Sequence, residues 1–165
     1  MKRHAVGQAL VEFALVIPLF LFLVFGIIDL GRGVWAADTA AHAASEAARF
    51  AIVHGGSANT ACKVGPMLPV PVIPPTPTCP HPSPSKQMII DTATNAAIGS
   101  GDPDPTVDVC YGAGCSGNTD ITGATNKRET LVTVKVTIHV RIFTGALIGV
   151  SNFDVSSTAT MVVNN

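Results

Sequence analysis

Gly7-Gln8-Ala9-Leu10-Val11-Glu12-Phe13 opens the stretch on which the reading of this chain turns. A basic leader (Lys2, Arg3, His4) ends at Gly7, and an apolar run follows in which Phe13 to Ile28 carries no charge. As a helix, the roughly 20 residues from Ala9 to Ile28 rise about 30 Å, the thickness of one hydrocarbon core. Glu12 stands at the front of that run, where an ionisable group is costly and marks a function. Lys2 and Arg3 precede the span, whereas Asp29 and Arg32 beyond it cancel, so the positive-inside rule predicts a single pass with the N-terminus in the cytoplasm.

Outward from the span, the helix continues. Trp35-Ala36-Ala37-Asp38-Thr39-Ala40-Ala41-His42-Ala43-Ala44-Ser45-Glu46-Ala47-Ala48-Arg49-Phe50 is rich in the best helix former. Ala36, Ala40, Ala44, Ala47 and Ala51 recur at spacings of four and three, drawing a small-residue stripe that admits another element close to the backbone. One helix over residues 8–54 is expected, about 70 Å long, with its span at about 9–28 and its outer half at 29–54. Pro18 should kink it by removing a backbone donor and crowding the preceding turn. Gly55-Gly56 should end it.

Residues 55–85 read as a Cys/Pro-rich loop. The prolines from Pro66 to Pro84 exclude helix or inner strand and favour extended, polyproline-like backbone. Its plain role is a surface spacer, its sharper one a ligand for a proline-recognising partner. Residues 86–165 read as a small outer domain. Ser83-Pro84 looks like a helix start, with a helix to about Ile98 whose apolar side is Met88, Ile89, Thr92 or Ala93, Ala96 and Ala97. Strands are expected at Thr106–Tyr111, Glu129–Phe143 and Phe153–Val163. In the second, Val132, Val134, Val136, Ile138, Val140 and Ile142 alternate with Thr133, Lys135, Thr137, His139 and Arg141, so one face is buried and the other wet. The predicted fold class is α+β: a long N-terminal membrane-spanning helix continuing into a small domain, where a second short helix packs on an antiparallel β-meander.

Composition narrows the chemistry. The chain is 47% hydrophobic and 13% charged with a formal net charge of -1, which leaves no basic surplus for nucleic acid. His4, His42, His54, His81 and His139 are scattered without metal-ligand spacing. Asp102, Asp104, Asp108 and Asp120 lack the spacing of a calcium loop and suit turns. Cys62, Cys79, Cys110 and Cys115 all follow the span, in keeping with an oxidising compartment. Two local disulfides, Cys62–Cys79 and Cys110–Cys115, are the simplest of the three possible pairings. No nucleophile elbow, phosphate loop or zinc-protease motif is present, so no enzyme, cofactor or metal is expected. The apolar run is long for a secretory signal, and Asp29 and Arg32 stand before the small-residue site at Val34-Trp35-Ala36. Asp29 reads either as a plain interfacial residue or as an assembly contact, and Trp35 as an interface anchor or a packing residue.

Gly7-Gln8 followed by Glu12-Phe13 resembles the N-terminus of type IV pilin-class precursors. The wider segment from Gly7 through Phe25-Gly26-Ile27-Ile28-Asp29-Leu30-Gly31-Arg32 resembles the TadE-like family, minor pilin-like proteins of the tight-adherence (Tad/Flp) pilus machinery. The likeness is strongest over residues 7–54 and looser through the alternating strand and Val155-Ser156-Ser157-Thr158-Ala159-Thr160-Met161. It implies that residues 1–7 are a leader, which a membrane prepilin peptidase removes between Gly7 and Gln8. Glu12 would then pair with the new terminal amine of a neighbouring helix; the plain alternative leaves Glu12 solvated among the headgroups. Implied partners are the peptidase, other pilin-class subunits, the inner-membrane assembly platform with its ATPase, and membrane lipid. The implied location is the bacterial cytoplasmic membrane, with the outer domain beyond it or carried into a pilus. A different class of function, a membrane-anchored or secreted surface binding module, would use the sheet, the cysteine loop and the proline tract and leave Glu12 idle.

Overall fold

The computed structural model describes residues 3–53, 86–122, 124, 128–145, 149 and 152–164. Helix α1 runs from Arg3 to Val53 with Pro18 inside it. It therefore starts ahead of the expected residue 8 and takes in the later part of the basic leader. The glycine pair expected to end it, the proline tract, Cys62 and Cys79 lie outside the described residues. Helix α2 covers Lys86–Ala96, and a 3-10 turn follows at Ile98–Ser100. Strands β1 (Thr106–Tyr111), β2 (Leu131–Arg141) and β3 (Asn152–Val162) form an antiparallel sheet in the order β1-β2-β3. The fold is α+β, with the outer half of α1 and α2 layered on one face of a meander.

The alternation in β2 decides which face is covered. Val132, Val134, Val136, Ile138 and Val140 are all buried, and register places their neighbours on the same face. Val109 and Ala159 flank Val134, while Tyr111 and Met161 flank Val132. Against them lies the alanine stripe: Ala36, Ala40, Ala44, Ala47 and Ala51 are 0% exposed, and Ala43 and Ala48 join them. Methyl side chains let the sheet and α2 approach the α1 backbone, which a row of leucines would hold away. On α2 the buried residues are Met88, Ile89 and Ala93, with Ala97 just beyond, so Ala93 rather than Thr92 faces the core.

Strand β2 is shorter than the alternation predicts, for a local reason at each end. Glu129 adopts a left-handed backbone (φ 69°) that a ladder does not accommodate. Past Arg141, the N–H groups of Phe143 and Thr144 turn to a carboxylate on α1 instead of a strand.

The outer edge of β1 is closed by its own loop. The Val109 N–H donates to Asn118 Oδ1 at 2.8 Å and the Tyr111 N–H to Asp120 Oδ1 at 2.8 Å, so two side chains occupy edge donors that would otherwise invite another strand. Lys86 Nζ at the start of α2 donates to the same Asp120 Oδ1 at 2.7 Å and to the Asn118 carbonyl at 3.1 Å. The Cys110–Cys115 disulfide holds the root of this loop. Gly112 turns it with φ 107°, and a Cβ there would stand 2.7 Å from Ile121 Cβ, so only glycine fits. Replacing both Cys110 and Cys115 with serine is expected to lower stability by about 2 kcal/mol, the closure entropy of so short a loop. Urea unfolding of the full chain in detergent measures it.

Candidate functional site: the long helix and the foot of the outer domain

Helix α1 is one continuous element with two different halves. Its outer half is roofed by the sheet and α2. Its first half is bare among the described residues: Leu10, Phe13, Leu15, Leu19, Phe20 and Leu23 are all exposed. Within the described residues this is the one helix long and apolar enough to cross a membrane, and none of its most apolar window is buried. Apolar area on this scale is covered by lipid or by other apolar helices.

Gly7, Gln8, Glu12 and Phe13 sit together at the inner end of this bare helix. Gln8 Nε2 donates to Glu12 Oε1 at 3.1 Å, one helical turn away. Phe13 is exposed, and among the described residues nothing outside the helix's own nearby backbone comes within 4 Å of where a Cβ on Gly7 would be. Among the described residues, none of the outer domain is bonded to these four. Pro18 lies between the two ends of the bare segment.

Asp29 and Trp35, at the other end of the span, are engaged within the chain. Asp29 is buried. Its Oδ2 accepts from the Thr144 N–H at 2.9 Å and from the Thr144 hydroxyl at 2.7 Å, and its Oδ1 accepts from the Phe143 N–H at 3.0 Å. Burial opposes its charge, but the Thr144 and Phe143 amides, the Thr144 hydroxyl and the Arg32 charge outweigh it and hold the carboxyl below the usual range. The carboxylate is a clasp that ties the segment after β2 to α1. The Trp35 indole N–H donates to the Gly99 carbonyl at 3.0 Å, fastening the 3-10 turn, while 64% of the residue stays exposed. Between these ties, Arg32 Nη1 donates to the Arg141 carbonyl at 2.9 Å and its guanidinium lies 4.8 Å from the Phe143 ring centroid. Gly33 lets the Phe153 ring close on the helix, since a Cβ there would be 2.9 Å from the ring tip.

Thr144, Phe143, Arg32 and Arg141 escaped the sequence reading. The one signal was Asp29 itself, a carboxylate at the end of an apolar run that must find donors; which donors depends on where β2 ends.

The acidic residues of the outer domain serve turns and edges. Asp102 accepts from the His139 N–H at 2.7 Å and the Asp104 N–H at 3.1 Å. Among the described residues no group of three or more His, Cys, Asp or Glu side chains is placed to hold a metal. His139 Nδ1 is 2.7 Å from Asp154 Oδ1 across the β2–β3 pair. That hydrogen bond, opposed by desolvation and assisted by the charges of Asp154, Asp102 and Asp104, raises the histidine pKa above 6.5. The pair therefore supports the fold fully below the unfolded pKa and loses its contribution as pH rises through the folded value. Asp154→Asn should return the His139 titration toward about 6.5, as followed by NMR of the imidazole in detergent-solubilised chain.

Residues 7–49 match the family model described as TadE-like protein. No curated protein and no solved structure matches the chain.

Proposed function

We propose, from the premise that a chain carrying the TadE-like pattern over residues 7–49 is associated with a Tad pilus, that this protein is a minor pilin (pseudopilin) acting in pilus assembly from the cytoplasmic membrane. The observation that carries the reading is the bare first half of α1, apolar on every side, with Glu12 at its inner end and no cover from the other described residues. Such a helix is made to pack in lipid beside other helices of its kind. Cleavage between Gly7 and Gln8 by a prepilin peptidase creates an amine one turn before Glu12. When helices stack, the Glu12 carboxylate of one subunit takes the terminal amine of another. In a low dielectric neither charge is tolerated alone, so the pair sets the axial stagger between subunits. The membrane platform and its ATPase move the subunits, and the outer domain is the cargo that α1 presents. The chain's part is structural, without catalysis.

The mature N-terminus, read by intact mass from hosts with and without the peptidase, tests the first step. A peptidase-dependent start at Gln8 is expected; a start at Ala37 or an uncut chain overturns it. Glu12→Ala is expected to cut pilus number about tenfold or more, since removing one partner of a buried pair costs several kcal/mol. Unchanged piliation in that variant would return the protein to the binding-module class.

A further inference from the structure

We propose that the foot of the outer domain is seated in the headgroup layer of the membrane that α1 spans, with the cleft between α1 and the end of β2 holding the phosphate of an anionic phospholipid. The proposal rests on the reading of α1 as a membrane span and adds a lipid-binding site to it.

The cleft encloses about 470 Å³. From α1 it is lined by Ile28, Gly31, Arg32 and Trp35, successive residues of one helix face, and from the domain by the Gly99–Gly101 segment and the end of β2 from His139 to Arg141. Arg32 and Trp35 stand about 6 and about 10 Å beyond Ile28 along the axis, the depth of a headgroup layer, and helix tilt lowers both. The position is thus set by covalent continuity with the span and not by a chosen docking pose.

The charge of the cleft fits an anion. Among the described residues neither Arg32 nor Arg141 has a carboxylate within ion-pair distance. Arg32 donates to a carbonyl and stacks on Phe143, which fixes its position; its charge acts on Asp29 but it makes no ion-pair contact with that carboxylate. The nearby acids are turned to other donors. Asp29 lines the separate apolar groove on the other side of α1 and is held by Thr144 and Phe143, Asp102 takes the His139 and Asp104 amides, and Asp154 is bonded to the His139 ring.

The apolar residues around the cleft are those an interface holds. Trp35, Phe143 and Ile98 are 64%, 65% and 74% exposed, and Leu30 and Val34 continue the exposed apolar surface of the span upward. An exposed tryptophan and phenylalanine beside two arginines, directly above the charge-free run Phe13–Ile28, are the composition of a membrane–water boundary.

Trp35 is the single tryptophan of the chain, so its fluorescence reports this site alone. The full chain is reconstituted in phosphatidylcholine vesicles with and without phosphatidylglycerol, and flotation establishes insertion. Trp35 is expected to be quenched most by phospholipids brominated near the headgroup end of the chain and little by aqueous iodide. Spin-labelled phosphatidylglycerol is expected to associate roughly fivefold better per arginine than spin-labelled phosphatidylcholine. The preference falls to about one in an Arg32→Gln/Arg141→Gln variant and survives in Arg32→Lys. Free inorganic phosphate at millimolar concentration should not displace the lipid; displacement would make the cleft a soluble-anion site and overturn the proposal. A floating chain whose Trp35 is open to iodide and untouched by brominated lipid overturns it while leaving the span intact. Shielding that disappears on dilution into excess lipid assigns the face to a second copy of the chain and overturns it. A chain that does not float removes the span and the proposal together.

Discussion

Replacing Ala44 with leucine is expected to lower the stability of the outer domain by about 3 kcal/mol, the upper end of the range for overpacking a core. Ala44 is 0% exposed in the middle of the stripe on which the sheet and α2 rest. Its neighbours on the same face, Ala40, Ala47 and Ala48, are also wholly buried, so no space lies beside it for a branched side chain. The added atoms must lift β2 and β3 off α1 or drive side chains from their rotamers, and the close approach across the whole layer is lost. Ala41→Leu, on the exposed face of the same helix, is the control and should change stability by less than about 0.5 kcal/mol. Urea unfolding of the full chains in one detergent, followed by proteolysis of the outer domain, measures both. Equal stability of the two variants would mean that α1 and the sheet do not pack through the alanines.

Replacing Asp29 with alanine has the second largest expected effect. The substitution removes the acceptor of the Thr144 N–H, the Thr144 hydroxyl and the Phe143 N–H at once. Thr144 is buried, so its amide and hydroxyl have no water to turn to. The segment after β2 should detach from α1, with amide exchange at Phe143 and Thr144 speeding up by at least about tenfold. Asp29→Asn retains one acceptor oxygen and should fall between the parent and the alanine variant. The effect should stay local: β2 from Val132 to Thr137 is paired on both sides and keeps its protection. The clasp also bears on acid stability. A carboxyl held below its usual range contributes above its unfolded pKa, and that contribution is lost as pH falls through the folded value. Thr144→Val, which removes only the hydroxyl donor, separates this tie from the two amides.

The two variants mark where sequence reasoning reached and where it stopped. Periodicity along α1 and β2 was readable because it reports a local constraint. Alanines at spacings of three and four can share only one helix face, and valines at every second position can share only one sheet face. From these followed the α+β class, the strands to within a residue or two, and the stripe that the sheet covers. The Cys110–Cys115 bridge was legible too, because its partners are near in sequence.

The ends of the span divide along the same line. Glu12 and Phe13 stood out in the sequence as a motif at the front of the span, and both are exposed on α1. Asp29 read as a surface or assembly residue, and its donors lie more than a hundred positions along the chain, on a segment that alternation extended as strand. Likewise Asn118 and Asp120 looked like ordinary loop residues until register set them beside the free edge of β1. One-dimensional pattern therefore determined the elements and their buried faces, because helix and strand geometry repeat along the chain. Which hydrogen bonds close the foot of the domain was decided by tertiary packing alone, because a donor and acceptor meet there only once α1 and the sheet have docked.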